Sequence, residues 1–289
     1  MLFTPGNHER RLGKVGTFGS DAIVLDLEDA VADAEKDDAR RMVRAALPTY
    51  PDTPVVVVRI NGQTTGRMEE DLIATVHPGL DCVMVPKIET PETLARCDAL
   101  LYTLERERGL PVGEIRLLGI VETPIGLIRC DDIALAAPER TLTLSFGLGD
   151  FSTEIQVDLS EDGTELLYAR GRLLVAVRAA GMRAPIDGPY LDIHDNGGLE
   201  ANTRTSRGLG YEGRVVVYPK QVDIVQRVYA ELSDEEVKLA QRIIEAFEAA
   251  EAGGLASIQV DGRFVDYPIY DRARQKLRLH RAARGGAAP

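Results

Sequence analysis

The chain has 289 residues, of which 44% are hydrophobic and 28% charged. That is the composition of a soluble globular protein, long enough for an α/β barrel of about 250 residues in one domain. Its 46 acidic against 34 basic residues give a formal charge of -12, which excludes a general nucleic-acid surface but not an anionic small molecule met by a few aimed cations.

Short apolar runs rich in β-branched residues recur along the chain, as expected of strands buried on both faces of a parallel sheet. They are Leu2–Thr4, Ala22–Leu27, Val55–Ile60, Cys82–Ile88, Ile115–Val121, Leu142–Phe146, Ala184–Asp187 and Val215–Tyr218. Between them the pattern predicts helices, most clearly over Asp33–Ala46, Thr90–Arg108, Thr164–Ala180 and Gln221–Leu232, with Thr90 and Pro91 at a helix start and Gly109 and Gly181 at exits. Eight β-then-α units predict a (β/α)8 TIM barrel, and no GxGxxG follows the first strand to favour a dinucleotide fold. The barrel is expected over 1–232. A C-terminal extension over 233–289 reads as helix–hairpin–helix: a capping box at Ser233, a break at Gly253-Gly254, a hairpin turning at Asp261-Gly262, and a basic helix from Pro268 to Arg284 before a frayed tail.

Cys82, Cys97 and Cys130 have no metal or disulfide spacing and read as small buried hydrophobes. No run has the about 20 apolar residues of a membrane span, and Leu2-Phe3-Thr4-Pro5-Gly6 is no secretory leader, so a cytoplasmic protein is expected.

In such a barrel the chemistry gathers at the C-terminal ends of the strands. Those ends carry Glu28-Asp29, Arg59, Lys87, Glu122, Asp150, Asp187 and Lys220. Glu122 and Asp150 end adjacent strands, and two close carboxylates repel unless one is protonated or a cation separates them. Hard oxygen ligands without His or Cys fit Mg2+ or Mn2+, although each acid could instead cap a helix or pair with a surface lysine. Arg59 follows four valines, so its buried fork needs an anion: a substrate carboxylate with Glu28 orienting the fork, or Glu28 alone. Lys87, among so many acids, reads as an ion-pair and substrate-binding residue rather than a Schiff-base former. Gly147 and Gly149 bracket a loop whose N–H groups could approach an oxyanion, which makes Gly149 a substrate-binding candidate.

The segments Leu2-Phe-Thr-Pro-Gly-Asn7, Val24-Leu-Asp-Leu-Glu-Asp-Ala-Val31, Val58-Arg-Ile-Asn61, Val85-Pro-Lys-Ile-Glu89, Glu122-Thr-Pro-Ile-Gly126, Gly147-Leu-Gly-Asp150, Leu167-Tyr-Ala-Arg170 and Tyr218-Pro-Lys-Gln221 occur in this order. At these residues the chain resembles the citrate lyase β-subunit-like branch of the HpcH/HpaI aldolase superfamily, which includes malyl-CoA and citramalyl-CoA lyases. The resemblance implies Mg2+ on Glu122 and Asp150, and Arg59 gripping the carboxylate of a 2-oxo acid. It also implies an acid/base Asp266, delivered by a C-terminal segment of an adjacent subunit. Asp29 stands where pyruvate-specific aldolases of the superfamily carry a His, which moves the expectation to CoA thioesters and makes Asp29 a catalytic candidate. Tyr218-Pro219 replaces the usual His-Pro, and Gly149 replaces an acid common beside Asp150.

The expected activity is therefore Mg2+-dependent, reversible cleavage of a carboxylated 3-hydroxyacyl-CoA to an acyl-CoA and a 2-oxo acid. The competing readings are a thioesterase and a subunit active only on a carrier protein. Expected partners are the CoA thioester, for which Arg10, Arg11 and Lys14 are candidate contacts, and the 2-oxo acid. Neither nucleic acid nor membrane is expected, and the expected assembly is a homotrimer or dimer of trimers.

Overall fold

The computed structural model describes residues 1–50, 54–160, 162–230, 232 and 234–283. Two compact units emerge, Met1–Val225 and Gln226–Pro289.

The first unit is built on β1 (Leu2–Pro5), β2 (Ala22–Asp26), β3 (Val55–Arg59), β4 (Cys82–Val85), β5 (Arg116–Val121), β6 (Thr141–Phe146), β7 (Ile186–Asp187) and β8 (Gly213–Arg214). These strands are parallel and ordered in space as in sequence. Beyond β8 the Val216–Leu2 bridge returns to β1, with Phe3 N–H donating to Val216 O at 2.9 Å and Val216 N–H to Met1 O at 2.8 Å. The eight parallel strands thus form the expected (β/α)8 barrel. The eighth apolar run places its ladder slightly later than β8 itself, because the closing contact is one bridge rather than a strand.

Alternate strand residues divide between two cores. Ala22, Val24, Val57, Cys82, Met84, Leu118 and Ile120 pack together as one buried cluster, with Phe3, Leu142 and Ile186 against it. The intervening Ile23, Leu25, Val56, Val58, Val83 and Val85 are also buried, so both faces are covered and the runs read as continuously apolar. The three cysteines are buried and unpaired, and burial raises each thiol pKa, to about 12 for Cys82 and Cys97 and about 11 for Cys130.

The helices between strands start with α1 (Glu9–Val15), α2 (Lys36–Ala46), α3 (Met68–Thr75) and α4 (Pro91–Glu107). Thr90 occupies the N-cap position of α4 with Pro91 at its first turn, but its side chain makes no capping bond, so proline geometry rather than the hydroxyl marks this start. Then follow α5 (Pro124–Ile128), α6 (Cys130–Leu135), α7 (Leu148–Glu154), α8 (Leu167–Ala179), α9 (Asn196–Leu209) and α10 (Gln221–Ala230).

The second unit contains α11 (Asp234–Ala252), a hairpin of β9 (Ser257–Val260) and β10 (Arg263–Asp266), and α12 (Tyr267–Ala283). Its turn has positive φ at Asp261 (48°) and Gly262 (78°), the geometry that Asp-Gly favours. Phe247, Val260, Val265, Tyr270 and Leu277 give it a core of its own. The expected Ser233 cap and the frayed tail lie outside the described residues.

Candidate active site

Strand register builds the first part of the site. β2 and β3 pair so that Asp26 stands beside Arg59. Arg59 Nε and NH2 donate to Asp26 Oδ1 and Oδ2 at 2.7 and 2.6 Å. NH1 lies 2.9 Å from Glu28 Oε2, an ionic contact without hydrogen-bond alignment, since Glu28 Oε2 has no bonded donor. The guanidinium sits 5.0 Å above the Phe3 ring. Burial opposes its charge, but Asp26, Glu28 and Glu122 outweigh burial and raise its pKa. The fork expected for a ligand or for Glu28 alone is therefore shared: its Nε–NH2 edge belongs to Asp26. Asp26 also accepts the N–H groups of Glu28 (2.9 Å) and Ala30 (3.3 Å), which fixes the path by which β2 leaves the barrel. Lys36 Nζ supports the same turn, donating to Leu27 O and Glu28 O at 3.0 and 2.8 Å.

Lys87 joins the remaining acids. Its backbone is left-handed (φ 50°), a strained state for a side-chain-bearing residue and one that clusters at functional sites. This geometry lets its N–H donate to Glu122 Oε1 at 2.8 Å. Its Nζ reaches Glu28 Oε1 at 2.6 Å, Asp29 Oδ2 at 2.9 Å and Asp150 Oδ2 at 3.2 Å. Partial burial disfavours the ammonium, but bonds to Glu28 and Asp29 reverse this and raise the pKa, so the amine is protonated and ion-paired. Partial burial pushes the Asp29 pKa up, but Lys87, Arg59 and Lys36 together bring it below its ordinary value, which leaves it ionised.

Glu122 lies directly before the turn Thr123-Pro124, where Thr123 Oγ1 accepts the Gly126 N–H at 3.0 Å and opens α5. Only 4% of Glu122 is exposed. Burial, then the charges of Glu28 and Asp150, push its carboxyl up to about 8. Gly147 makes room for it: a Cβ there would stand 2.3 Å from Glu122 Oε2 and 2.4 Å from Glu122 Cβ. The expected Gly147–Gly149 loop is instead the N-cap and first turn of α7, because Leu148 and Phe151 bury one face of that helix. Asp150 is thereby carried on its first turn, and Gly149 faces open space.

Among the described residues, the five acids Asp26, Glu28, Asp29, Glu122 and Asp150 meet three side-chain cations, Arg59, Lys87 and Lys36. An all-oxygen donor set with surplus negative charge fits a hard divalent cation. Glu122 and Asp150 are the donors best suited to it: Asp150 meets Lys87 through one oxygen at 3.2 Å and Glu122 through the Lys87 backbone N–H, whereas Asp26, Glu28 and Asp29 hold Arg59 and Lys87 in closer ion pairs. Among the described residues no three His, Cys, Asp or Glu side chains gather as a full cage, and Mg2+ is commonly held by one or two carboxylates with waters and substrate.

Arg10, Arg11 and Lys14 are exposed on α1. Asp266 ends β10 in the second unit, where its Oδ1 accepts the Ile269 N–H at 3.3 Å. Sequence reading missed Asp26, Lys36 and the spatial role of Gly147. An Asp inside an otherwise apolar strand was the one available signal.

Fold and site together define a parallel α/β barrel with an acid-rich mouth braced by one arginine and one lysine. The HpcH/HpaI aldolase/citrate lyase family model matches residues 1–219, and the chain belongs to that family. The citrate lyase subunit beta of Leuconostoc mesenteroides subsp. cremoris is 36% identical, over 98% of this chain and 93% of that protein. The human mitochondrial citramalyl-CoA lyase is 31% identical, over 96% of this chain and 84% of that protein. The crystal structure of protein CitE from Mycobacterium tuberculosis, in complex with magnesium, acetoacetate and coenzyme A, superposes with a TM-score of 0.78 at 28% identity, covering 96% of each chain. Among the described residues no helix is long and apolar enough to cross a membrane.

Proposed function

We propose that this chain is a Mg2+-dependent carbon–carbon lyase that reversibly cleaves a carboxylated 3-hydroxyacyl-CoA, such as a malyl, citramalyl or citryl thioester, into an acyl-CoA and a 2-oxo acid. The observation that carries this reading is the uncompensated acid cluster around buried Glu122, next to a braced arginine. Similarity to citrate lyase β subunits and citramalyl-CoA lyase names the chemistry.

Glu122 and Asp150 would hold the cation. When bound, Mg2+ supplies Lewis-acid stabilisation of the negative charge that develops on the substrate's 3-oxygen. Asp26 occupies the Nε–NH2 edge of Arg59, so the terminal carboxylate of the substrate meets the NH1–NH2 edge, oriented by the Asp26 and Glu28 contacts. Lys87 fixes Glu122 through its backbone N–H, and its ammonium keeps Asp29 ionised and opposes the burial that raises the Glu28 pKa. Gly149 leaves open space on the first turn of α7 for substrate. Cleavage removes the 3-hydroxyl proton, breaks the C2–C3 bond to form the 2-oxo acid's carbonyl, and releases a thioester enolate that must gain a proton at its α-carbon. Asp266 from an adjacent subunit takes this acid/base role, with Asp29 as the alternative group at the mouth. Exposed Arg10, Arg11 and Lys14 offer positive charge to the CoA phosphates.

The test is to incubate the purified chain with Mg2+, acetyl- or propionyl-CoA and glyoxylate, pyruvate or oxaloacetate, and to analyse the mixture by mass spectrometry. A 3-hydroxyacyl-CoA adduct in at least one pair is expected. No adduct and no reverse cleavage for any pair overturns the proposal. With a 3-hydroxyacyl-CoA supplied alone, free CoA without release of a 2-oxo acid identifies a thioesterase, and turnover only on an acylated carrier protein identifies a carrier-dependent subunit.

A further inference from the structure

β7 and β8 set another Asp–Arg pair in register, Asp187 beside Arg214. Asp187 Oδ2 accepts from Arg214 NH2 at 2.8 Å, and its Oδ1 accepts from Arg170 Nε at 3.1 Å. Asp187 is fully buried, and both arginines are 1% exposed. Asn202 Oδ1 accepts from Arg214 NH2 at 2.5 Å and Arg170 NH2 at 3.4 Å, while Arg214 NH1 donates to Thr203 Oγ1 at 2.9 Å. Asn202 and Thr203 are neutral, so among the described residues the two guanidiniums share Asp187 as their one directly bonded carboxylate. Among the described residues Arg170 NH1 has no hydrogen-bond acceptor, a rare state for a buried charged donor.

Arg170 and Asn202 also line a cavity of about 310 Å³, together with Gly163, Ser160, Tyr190 and Leu191. A Cβ on Gly163 would lie 3.0 Å from Arg170 NH1 and 3.4 Å from Asn202 Nδ2. The two nitrogens therefore converge beside Gly163, and its positive φ of 65° favours the residue without a side chain. Three acids at the rim are engaged in local turns. Glu165 accepts the Ser160 N–H, Asp192 those of His194 and Asp195, and Asp195 the Gly198 N–H and the Tyr190 hydroxyl. Their charge disfavours a multiply charged anion. Two buried guanidiniums sharing one bonded carboxylate, and two planar nitrogen groups, match one further planar carboxylate.

We propose that this cavity is a carboxylate-binding site for a small organic acid, separate from the Glu122–Asp150 cluster and independent of the lyase reading. The experiment is a titration of the full chain with 13C-acetate, followed by NMR, in buffer containing EDTA. Wild type, Arg59→Ala, Arg170→Lys and Leu191→Trp are compared. Leu191 is an exposed rim residue, and a Trp there crowds the cavity without touching the buried ion pairs. One acetate per chain is expected in wild type and in Arg59→Ala, with binding weakened at least about tenfold in the other two variants. No binding to wild type overturns the site. So does loss in Arg59→Ala with retention in Leu191→Trp. If circular dichroism shows that Arg170→Lys does not fold, Leu191→Trp decides alone, and undiminished binding there overturns the site. Inorganic phosphate binding more tightly than acetate overturns the carboxylate assignment.

Discussion

Asp26–Arg59 and Asp187–Arg214 are the same device built twice. In each, parallel register sets an aspartate at the end of one strand beside an arginine on the next. The surroundings give them opposite tasks. Arg59 lies among a surplus of carboxylates, and Lys87 beside it is partly exposed. Arg214 is sealed, with Arg170 as a second guanidinium on the same carboxylate. The first neighbourhood holds more acids than cations and suits a cation, whereas in the buried part of the second two guanidiniums share one carboxylate. A buried ion pair thus says little until the whole local balance is counted.

The largest effect should separate the two regions by stability. Asp187→Leu leaves two buried guanidiniums unpaired and should cost about 3–5 kcal/mol, read as a lower urea midpoint; an unchanged midpoint would remove the sealed network from the comparison. Glu122→Gln should do the reverse. Loss of a group hydrogen-bonded to a metal ligand typically costs about 10–100-fold in metal affinity or activity, so loss of this ligand itself should cost Mg2+ affinity and turnover at least about 100-fold. Its metal-free fold should be about as stable as wild type near neutral pH, because the metal-free carboxyl already holds a proton there and Gln replaces one neutral group by another. A clear destabilisation would show Glu122 to be structural.

A subtler change tests the room made for that carboxylate. Gly147→Ala places a Cβ against Glu122 and should weaken Mg2+ binding and turnover by roughly ten- to a hundredfold, as calorimetry and rate assays can measure. Wild-type affinity would mean that the carboxylate need not stand where Gly147 allows it.

The smallest effect is a pH slope. With the Glu122 carboxyl raised from 4.5 to about 8, Mg2+ must displace a proton below that pH. Affinity should rise up to about tenfold per pH unit towards 8 and then level off. The sign for folding follows from the same shift. The folded protein retains this proton between pH 4.5 and 8 while the unfolded chain has lost it. Metal-free stability therefore falls across that window as pH rises, and saturating Mg2+ flattens the fall. A flat metal-free profile would place the Glu122 carboxyl near its ordinary value.

Much of the fold was legible because parallel barrel strands are buried on both faces, so each appears as an unbroken apolar run. Glu28, Asp29, Arg59, Lys87, Glu122 and Asp150 were legible for a related reason: a charge at the end of such a run stands where the strand leaves the core. Helices shorter or more polar than this signal, such as α7 and α9, were not. α7 hid behind Gly147 and Gly149, whose glycines resemble a loop until Leu148 and Phe151 find the core.

By itself, then, the sequence determined the β/α rhythm, the family and the set of strand-end charges, because these depend on local periodicity and residue type. Tertiary structure decided who partners whom. The β2–β3 register gave Asp26 one edge of Arg59, and the close approach of β5 and β6 required Gly147 beside Glu122. The β7–β8 register, with α8 and α9, placed Arg170, Arg214 and Asn202 around Asp187. Coulomb energy depends on separation and desolvation across elements far apart in the chain, and no spacing within one element encodes either.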